Sequence, residues 1–344
     1  MLDHTMPTRN YQEQFFQLLR YRFKDQKSMA EAISEVVGIG IDSAYRRISG
    51  KSQLKVNEFI QLSQYFNLSF PEDEAGTIRF RFNNRNNEIR SPGDYIDQLE
   101  QRLALVESWP DKQLYYATPD LPFFYELMSP TLLAFKLYVF GVTSWGFDHW
   151  KTQPFRLEMI DTQVLEKAAK ISHYAYRVPS KELWSSSILT ATLSQVEYMV
   201  MIGKFADPAV PERVLNEIED VVEHLEQMAI HGKKFIPGEK PEKSKTPYAL
   251  YYNELLYVST TISVHSPQAS LVFLSFLTPN FLVTTDQSLG EEVQSWFDRL
   301  LDDATILGSD TRLHREWFFN RLKAQIAGAR GRIKQQLLDQ NSPF

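Results

Sequence analysis

Two glycine breaks constrain the start of this chain more than any other feature. Gly38-Ile-Gly40 and Gly50 bracket the short segment from Ile41 to Ser49. Glycine is the residue that lets a helix end in a left-handed turn, so the segment is a helix of little more than two turns. Ile41, Ala44, Tyr45 and Ile48 stand at i, i+3, i+4 and i+7, which gives it one apolar face. A helix this short is not stable alone and must be held by its neighbours.

The flanking sequence supplies those neighbours. Phe15, Phe16, Leu18, Leu19 and Phe23 have helical spacing within residues 11–23. A polar break from Lys24 to Lys27 follows, and Ser28-Met-Ala-Glu31 then has the form of a capping box. The helix it opens carries Met29, Ala30, Ile33, Val36 and Val37 on one side. A fourth helix is expected over about 55–67, with Val56, Phe59, Ile60 and Phe66 as its apolar positions, ended by Asn67 to Pro71. Four short helices with a tight turn between the second and third describe a helix-turn-helix domain, here over residues 8–71. If Ile41, Ala44 and Ile48 of the third helix are buried, then Asp42, Ser43, Arg46, Arg47 and Ser49 face away. Arg is the commonest bidentate reader of guanine, and Ser can serve a base or a phosphate.

Charge is placed unevenly. Residues 1–90 carry a net +2 and the remainder −8, giving −6 for all 344 residues. Arg46, Arg47, Lys51 and Lys55 cluster with only Asp42 nearby. A basic end on an acidic chain hints at an anionic partner, although a solvated helix face is the plainer reading of charge alone.

These residues resemble the Cro/lambda-repressor-type, XRE-like helix-turn-helix regulators. The resemblance rests on Met29-Ala-Glu-Ala-Ile33, Ser43-Ala-Tyr-Arg-Arg-Ile48, Gly50-Lys51, Glu58-Phe-Ile-Gln-Leu62 and Tyr65-Phe-Asn-Leu-Ser69. It implies that the helix near Ser28 crosses the DNA backbone and that the helix near Ile41 enters the major groove. Ser43, Arg46 and Arg47 would then face the DNA, with Ser28, Lys51 and Gln53 near phosphates. Two departures stand out: the turn at Gly38-Ile-Gly40 is about one residue longer than usual, and Lys55 stands where a Ser or Thr cap is common. Farther on, Tyr115-Tyr-Ala-Thr-Pro-Asp-Leu-Pro-Phe123, Leu133-Ala-Phe-Lys-Leu137, Gln195-Val-Glu-Tyr198 and Leu250-Tyr-Tyr-Asn-Glu254 are similar to a group of uncharacterised bacterial two-domain helix-turn-helix regulators. That likeness brings no chemistry for the second domain.

Residues 72–93 read as a polar linker, with one short strand allowed at Ile78-Arg-Phe-Arg-Phe82. Ser91-Pro92 opens a helix with Tyr95, Ile96, Leu99, Leu103 and Val106 inward. Leu114 to Thr118 reads as a strand, Pro130 to Thr143 as a buried helix, and 158–176, 187–204 and 210–231 as three longer helices. A polar loop at 232–247 precedes two strand segments, 248–264 and 269–284. A helix capped by Asp286 or Ser288 follows, with Leu289, Val293, Trp296, Leu300 and Ala304 inward, and a last helix starts at Ser309-Asp-Thr and runs toward 338. The expected architecture is mainly α with a smaller β component: a four- to five-helix domain, then one α+β domain over 94–340 that senses an effector or dimerises.

Composition removes several function classes. The chain has no Cys, which excludes a disulfide scaffold, thiol catalysis and Cys-ligated metal. Apolar residues make up 43% and charged residues 23%, so a folded chain is expected rather than disorder. Its longest apolar run, Leu132 to Val142, is interrupted by Lys136, and the N-terminus lacks a secretory core. A cytoplasmic protein without membrane contact is therefore expected.

Other features of the sequence bear on chemistry. Residues 109–155 hold 13 aromatics, and Tyr115, Tyr116, Phe123, Phe124 and Tyr125 are candidates to line a pocket for a flat or apolar effector. A simple domain core is the plainer reading of the same residues. His224 and His231 stand two helical turns apart, too far for one metal. Seven cations against three acids in 310–339 suggest a solvated or dimer-forming helix, or a second phosphate-contacting surface. No nucleotide, nucleophile-elbow or zinc motif is present. The expectation is a regulator that is not an enzyme, with no cofactor or metal. Its partners would be double-stranded DNA, a second copy of itself, and a small-molecule or protein effector. The alternative is an interaction or sensor protein whose helix-turn-helix binds protein and not DNA.

Overall fold

A computed structural model describes residues 11–20, 23, 25–66, 68, 78–82, 89–255, 258–267 and 269–341. The expected domain limits at 8 and 71, and residues 72–77 and 83–88 of the expected linker, lie outside them. The chain divides into two compact units, Met1–Arg79 and Phe80–Phe344.

The first unit contains, among the described residues, α1 (Tyr11–Arg20), α2 (Gln26–Val37), α3 (Ile41–Ile48) and α4 (Val56–Tyr65). Their shared core is Phe15, Phe16, Leu19, Met29, Ala30, Ile33, Ala44, Ile48 and Leu62. Gly38, at φ +67, closes α2 in the left-handed region, and its N–H donates to the Ser34 carbonyl. Gly40 then starts α3 from an extended backbone. Two expectations are corrected here. α2 begins one turn earlier than the Ser28 box predicts, because Asp25 is its N-cap and accepts from Ser28 N at 2.8 Å. The apolar faces also rotate: Ile41 is 45% and Val56 72% exposed, and Ile60 is exposed as well. On α4 the buried positions are Glu58 and Leu62.

The second unit is α+β. Its strands are β1 (Arg81–Phe82), β2 (Gln113–Thr118), β3 (Ser180–Trp184), β4 (Lys233–Lys234), β5 (Thr246–Tyr252), β6 (Thr261–Ser266), β7 (Ala269–Ser275), β8 (Phe281–Thr284) and β9 (Thr305–Ile306). They form one sheet in the order β1-β8-β7-β6-β2-β3-β5-β4, with β9 also on β5. The pairs β2–β3 and β3–β5 are parallel and the others antiparallel. Parallel neighbours need long crossovers, and helices provide them. Between β2 and β3 lie α6 (Phe123–Glu126), α7 (Pro130–Thr143), α8 (Asp148–Lys151) and α9 (Thr162–Tyr176). Between β3 and β5 lie α10 (Thr190–Met201) and α11 (Val210–His231). α5 (Pro92–Ser108) precedes β2, α12 (Gln287–Asp302) follows β8, and α13 (Arg312–Asn341) ends the unit.

Strand alternation sorts the sheet into two faces. Leu114 and Tyr116 of β2, Trp184 of β3 and Leu250 of β5 join the large core with α5, α7, α11 and α13. Tyr115, Ala117 and Leu183 point the other way, against Phe297 and Leu301 of α12. α12 lies close to β7 there: a Cβ on Gly290 would stand 2.5 Å from the Ser270 Cβ. The inward residues of α12 are therefore Gly290, Phe297 and Leu301, while the expected Val293, Trp296 and Leu300 are only partly buried.

Three further expectations change. The linker expected over 72–93 is interrupted by the short strand the sequence allowed within 78–82, since Arg81 and Phe82 pair with Val283 and Leu282 in the sheet. The two long strand segments are four strands, β5 to β8. Three cations of the last helix are also bound within the unit. Arg330 pairs with Glu212 at 2.8 Å and Glu219 at 2.9 Å, Arg332 with Glu197 at 2.7 Å, and Lys323 with Glu226 at 2.8 Å. α13 presents these cations to Glu197 of α10 and to the acidic row Glu212, Glu219 and Glu226 of α11, while Phe318, Phe319, Leu322 and Ile326 sit in the core. Among the described residues no helix is long and apolar enough to cross a membrane.

Candidate nucleic-acid interface and the buried polar groups

α3 is held from within by polar contacts as well as by Ala44 and Ile48. Gln12 on α1 donates to the carbonyls of Arg47 at 2.8 Å and Ser52 at 2.7 Å, and its side-chain oxygen accepts from Leu54 N at 2.8 Å. One amide thereby ties the end of α3 and the following loop to the first helix. Arg47 completes the brace. Its Nε and Nη2 donate to the two carboxylate oxygens of Glu58 at 2.7 and 2.8 Å, and its Nη1 reaches the Ser43 carbonyl at 3.1 Å. Glu58 also accepts from Lys55 N at 3.1 Å, which caps α4. The Arg47 hydrogen bond holds the Glu58 carboxyl below its usual range, against the opposing effect of burial.

The expected DNA-facing residues therefore separate. Arg47 has a side chain only 13% exposed and is engaged with Glu58, so its place on the outward face is corrected. Adjacent helix positions are about 100° apart, and Arg47 takes the inward one. Arg46 is exposed, and its guanidinium has no partner among the described residues. Asp42 and Ser43 lie one turn before it and Ser49 almost one turn after, on the same side of α3. Lys51 and Gln53 are exposed in the loop that follows. Ser28 is half-buried and committed to its cap, with its hydroxyl donating to the Asp25 carbonyl at 2.9 Å. The surface is mixed in charge, since Glu31, Glu35 and Asp42 are exposed as well.

In the second unit the five candidate pocket residues do not line one pocket. Tyr115 and Tyr116, as neighbours on β2, point to opposite faces of the sheet. Tyr115 packs on Phe297 at 5.4 Å, and Tyr116 on Phe124 at 5.5 Å. Phe123 packs on Tyr95 and Phe140. Tyr125 instead donates to the buried carboxylate of Glu182 at 2.6 Å. Glu182 also accepts from Ser180 Oγ at 2.8 Å and faces Lys234 Nζ at 3.5 Å. Lys234, on β4, is 1% exposed and donates to the Ala175 carbonyl at 3.3 Å. Burial pushes the Lys234 ammonium below its usual range and the Tyr125 and Tyr248 phenols well above theirs. Sequence reasoning passed over this centre. Its one signal is the alternation of Ser180, Glu182 and Trp184 on a strand with both faces covered.

A second buried acid stands apart. Glu126, at the end of α6, is fully buried, neither of its oxygens accepts a hydrogen bond, and Lys136 Nζ is 3.9 Å away. Burial pushes its carboxyl up from 4.5 to about 7; Lys136 opposes that and Asp120 reinforces it. Lys136 itself donates to Thr192 Oγ1 at 2.7 Å. Among the described residues no three His, Asp or Glu side chains converge as metal ligands would.

Comparison with protein-family models, with curated proteins and with solved structures finds no match to this chain.

Two measurements check this geometry. Arg47→Ala leaves Glu58 without its cation and is expected to cost about 2–4 kcal/mol in urea unfolding, against less than ~0.5 kcal/mol for the exposed Arg46→Ala. Equal losses would contradict the inward placement of Arg47. For Glu126 the folded state holds the proton more tightly than the unfolded chain does. Its contribution is complete below about pH 4.5 and is lost as pH rises through about 7, roughly 3 kcal/mol in all. Glu126→Gln is expected to flatten the fall in stability between pH 5 and pH 8, and parallel profiles for parent and variant would refute the raised carboxyl of this buried acid.

Proposed function

We propose that this protein is a DNA-binding transcriptional regulator that reads an operator through α3, with the second unit serving as its sensing or dimerisation domain. The observation that supports this most is the exposed Arg46 guanidinium, without a partner among the described residues, on the outer side of a short helix. The residues behind that helix, Ala44, Ile48, Gln12 and Arg47, all belong to its anchoring. A rigidly held helix presenting Arg beside Ser43 and Ser49 suits direct readout in a major groove about 12 Å wide. Lys51 and Gln53 in the next loop suit phosphate contacts. As a homodimer the protein would span half-sites about 34–36 Å apart on a roughly palindromic operator.

A second reading is favoured by one observation. Ile41, Val56, Ile60 and Tyr65 are exposed apolar side chains on α3 and α4, and Glu31, Glu35 and Asp42 dilute the basic charge. Such a surface suits a protein partner, with the second unit as the sensor.

Selection of bound sequences from a random duplex DNA pool separates the two. The regulator reading predicts an enriched palindrome whose binding weakens steeply with salt. Arg46→Ala is expected to cost about 1–3 kcal/mol on the selected site with little change in folding, and Lys51→Ala to weaken all sequences alike. No enrichment at low salt from folded protein would overturn the regulator reading in favour of the protein-contact one.

A further inference from the structure

The second unit contains a cavity of about 90 Å³ where α5 covers the sheet. Leu103 and Val106 of α5 line it together with Val264 of β6 and Phe273 of β7. Its surface is carbon almost throughout. Arg102 and Lys234 belong to the wall, but through their methylene stems. The Lys234 ammonium is committed to Glu182 at 3.5 Å and to the Ala175 carbonyl at 3.3 Å, and the Arg102 guanidinium interacts electrostatically with the Tyr95 phenol.

Size and lining together select what such a cavity holds. It is larger than the roughly 10–15 Å³ that one water needs, yet a water there would lack the polar partners that keep buried water in place. Apolar cavities stay dry and take apolar guests, and one of ~150 Å³ admits benzene, or about 25 Å³ for each carbon. On that scale this cavity has room for about three carbons or one xenon atom. Its lining forfeits dispersion contacts while no atom fills it, and an apolar guest restores them. Leu99, Leu103, Ile262 and Phe281 of the wall are half-buried, so part of it lies near the surface of the unit.

We infer that this cavity binds an apolar molecule of up to three carbons, held by dispersion against Leu103, Val106, Val264 and Phe273 without any polar contact. Of the five residues expected from the sequence to line an effector pocket, it uses Phe124 alone. As a binding site it stands on the cavity and its lining. As an effector site it rests on the regulator reading, and binding measured without DNA keeps the two separable.

Titration of the full-length protein with xenon and with propane, followed by NMR of labelled Leu and Val methyl groups, tests the inference. The methyl resonances of Leu103, Val106 and Val264 are expected to move with xenon pressure and to saturate, and propane to compete for the same site. Propan-1-ol is expected to bind about tenfold more weakly than propane, because its hydroxyl finds no partner in the cavity. Leu103→Phe is expected to abolish the shifts by filling the space. Should that variant fail to fold, Val264→Ile adds a single methylene and is expected to weaken xenon binding about threefold. Shifts that never saturate, unchanged xenon binding in a folded variant, or equal affinity for propane and propan-1-ol would each overturn the site. Magnetisation transfer from water to these methyl groups, the mark of a hydrated cavity, would overturn it as well.

Discussion

The bidentate contact between Arg47 and Glu58 decides what the first unit can present to a partner. α3 has eight residues and only two of them, Ala44 and Ile48, are buried apolar side chains. Apolar packing of that extent leaves a short helix free to roll. The Arg47 fork on Glu58, together with the Gln12 amide on the Arg47 and Ser52 carbonyls, fixes its rotation and its end. Once Arg47 is turned inward, Arg46 must face outward, about 100° round the helix. Fixation and presentation are thus two consequences of one ion pair. A rigid element of this kind loses less conformational entropy on binding than a mobile one.

In the second unit the corresponding constraint is the burial of charge. Covering the sheet on both faces puts Glu182 and Lys234 in the interior, where each needs the other. Tyr125, Ser180 and the Ala175 carbonyl supply their remaining contacts. Among the described residues the same helical layer leaves the Glu126 carboxylate without a hydrogen bond, with Lys136 Nζ 3.9 Å away. Most of this layer is well packed, down to a helix such as α7 with apolar residues on every side.

Much of the architecture was legible from periodicity. α7 spans Pro130–Thr143 and α11 Val210–His231, as spacing and composition predicted, and Ser91 caps α5 through the expected position. β3 was not legible, because Ser180, Lys181 and Glu182 look like loop residues until their buried partners are known. The split between Arg46 and Arg47 was also out of reach, since it depends on Glu58 eleven residues later. A trace of it does exist. Glu58 stands four residues before Leu62 on the inward stripe of α4, and a carboxylate there calls for a cation. The basic count of α13 misled for the opposite reason: its acidic partners are far away in sequence, on α10 and α11.

The most direct test of this picture is arginine footprinting. The full-length protein would be treated with phenylglyoxal, with and without duplex DNA at low salt, and modification at each arginine read by mass spectrometry. Fast reaction at Arg46, slow reaction at Arg47, and protection of Arg46 on adding DNA are the expected results. Equal reaction at both residues would contradict the brace, and an Arg46 that DNA leaves unprotected would contradict the proposal that it reads the operator.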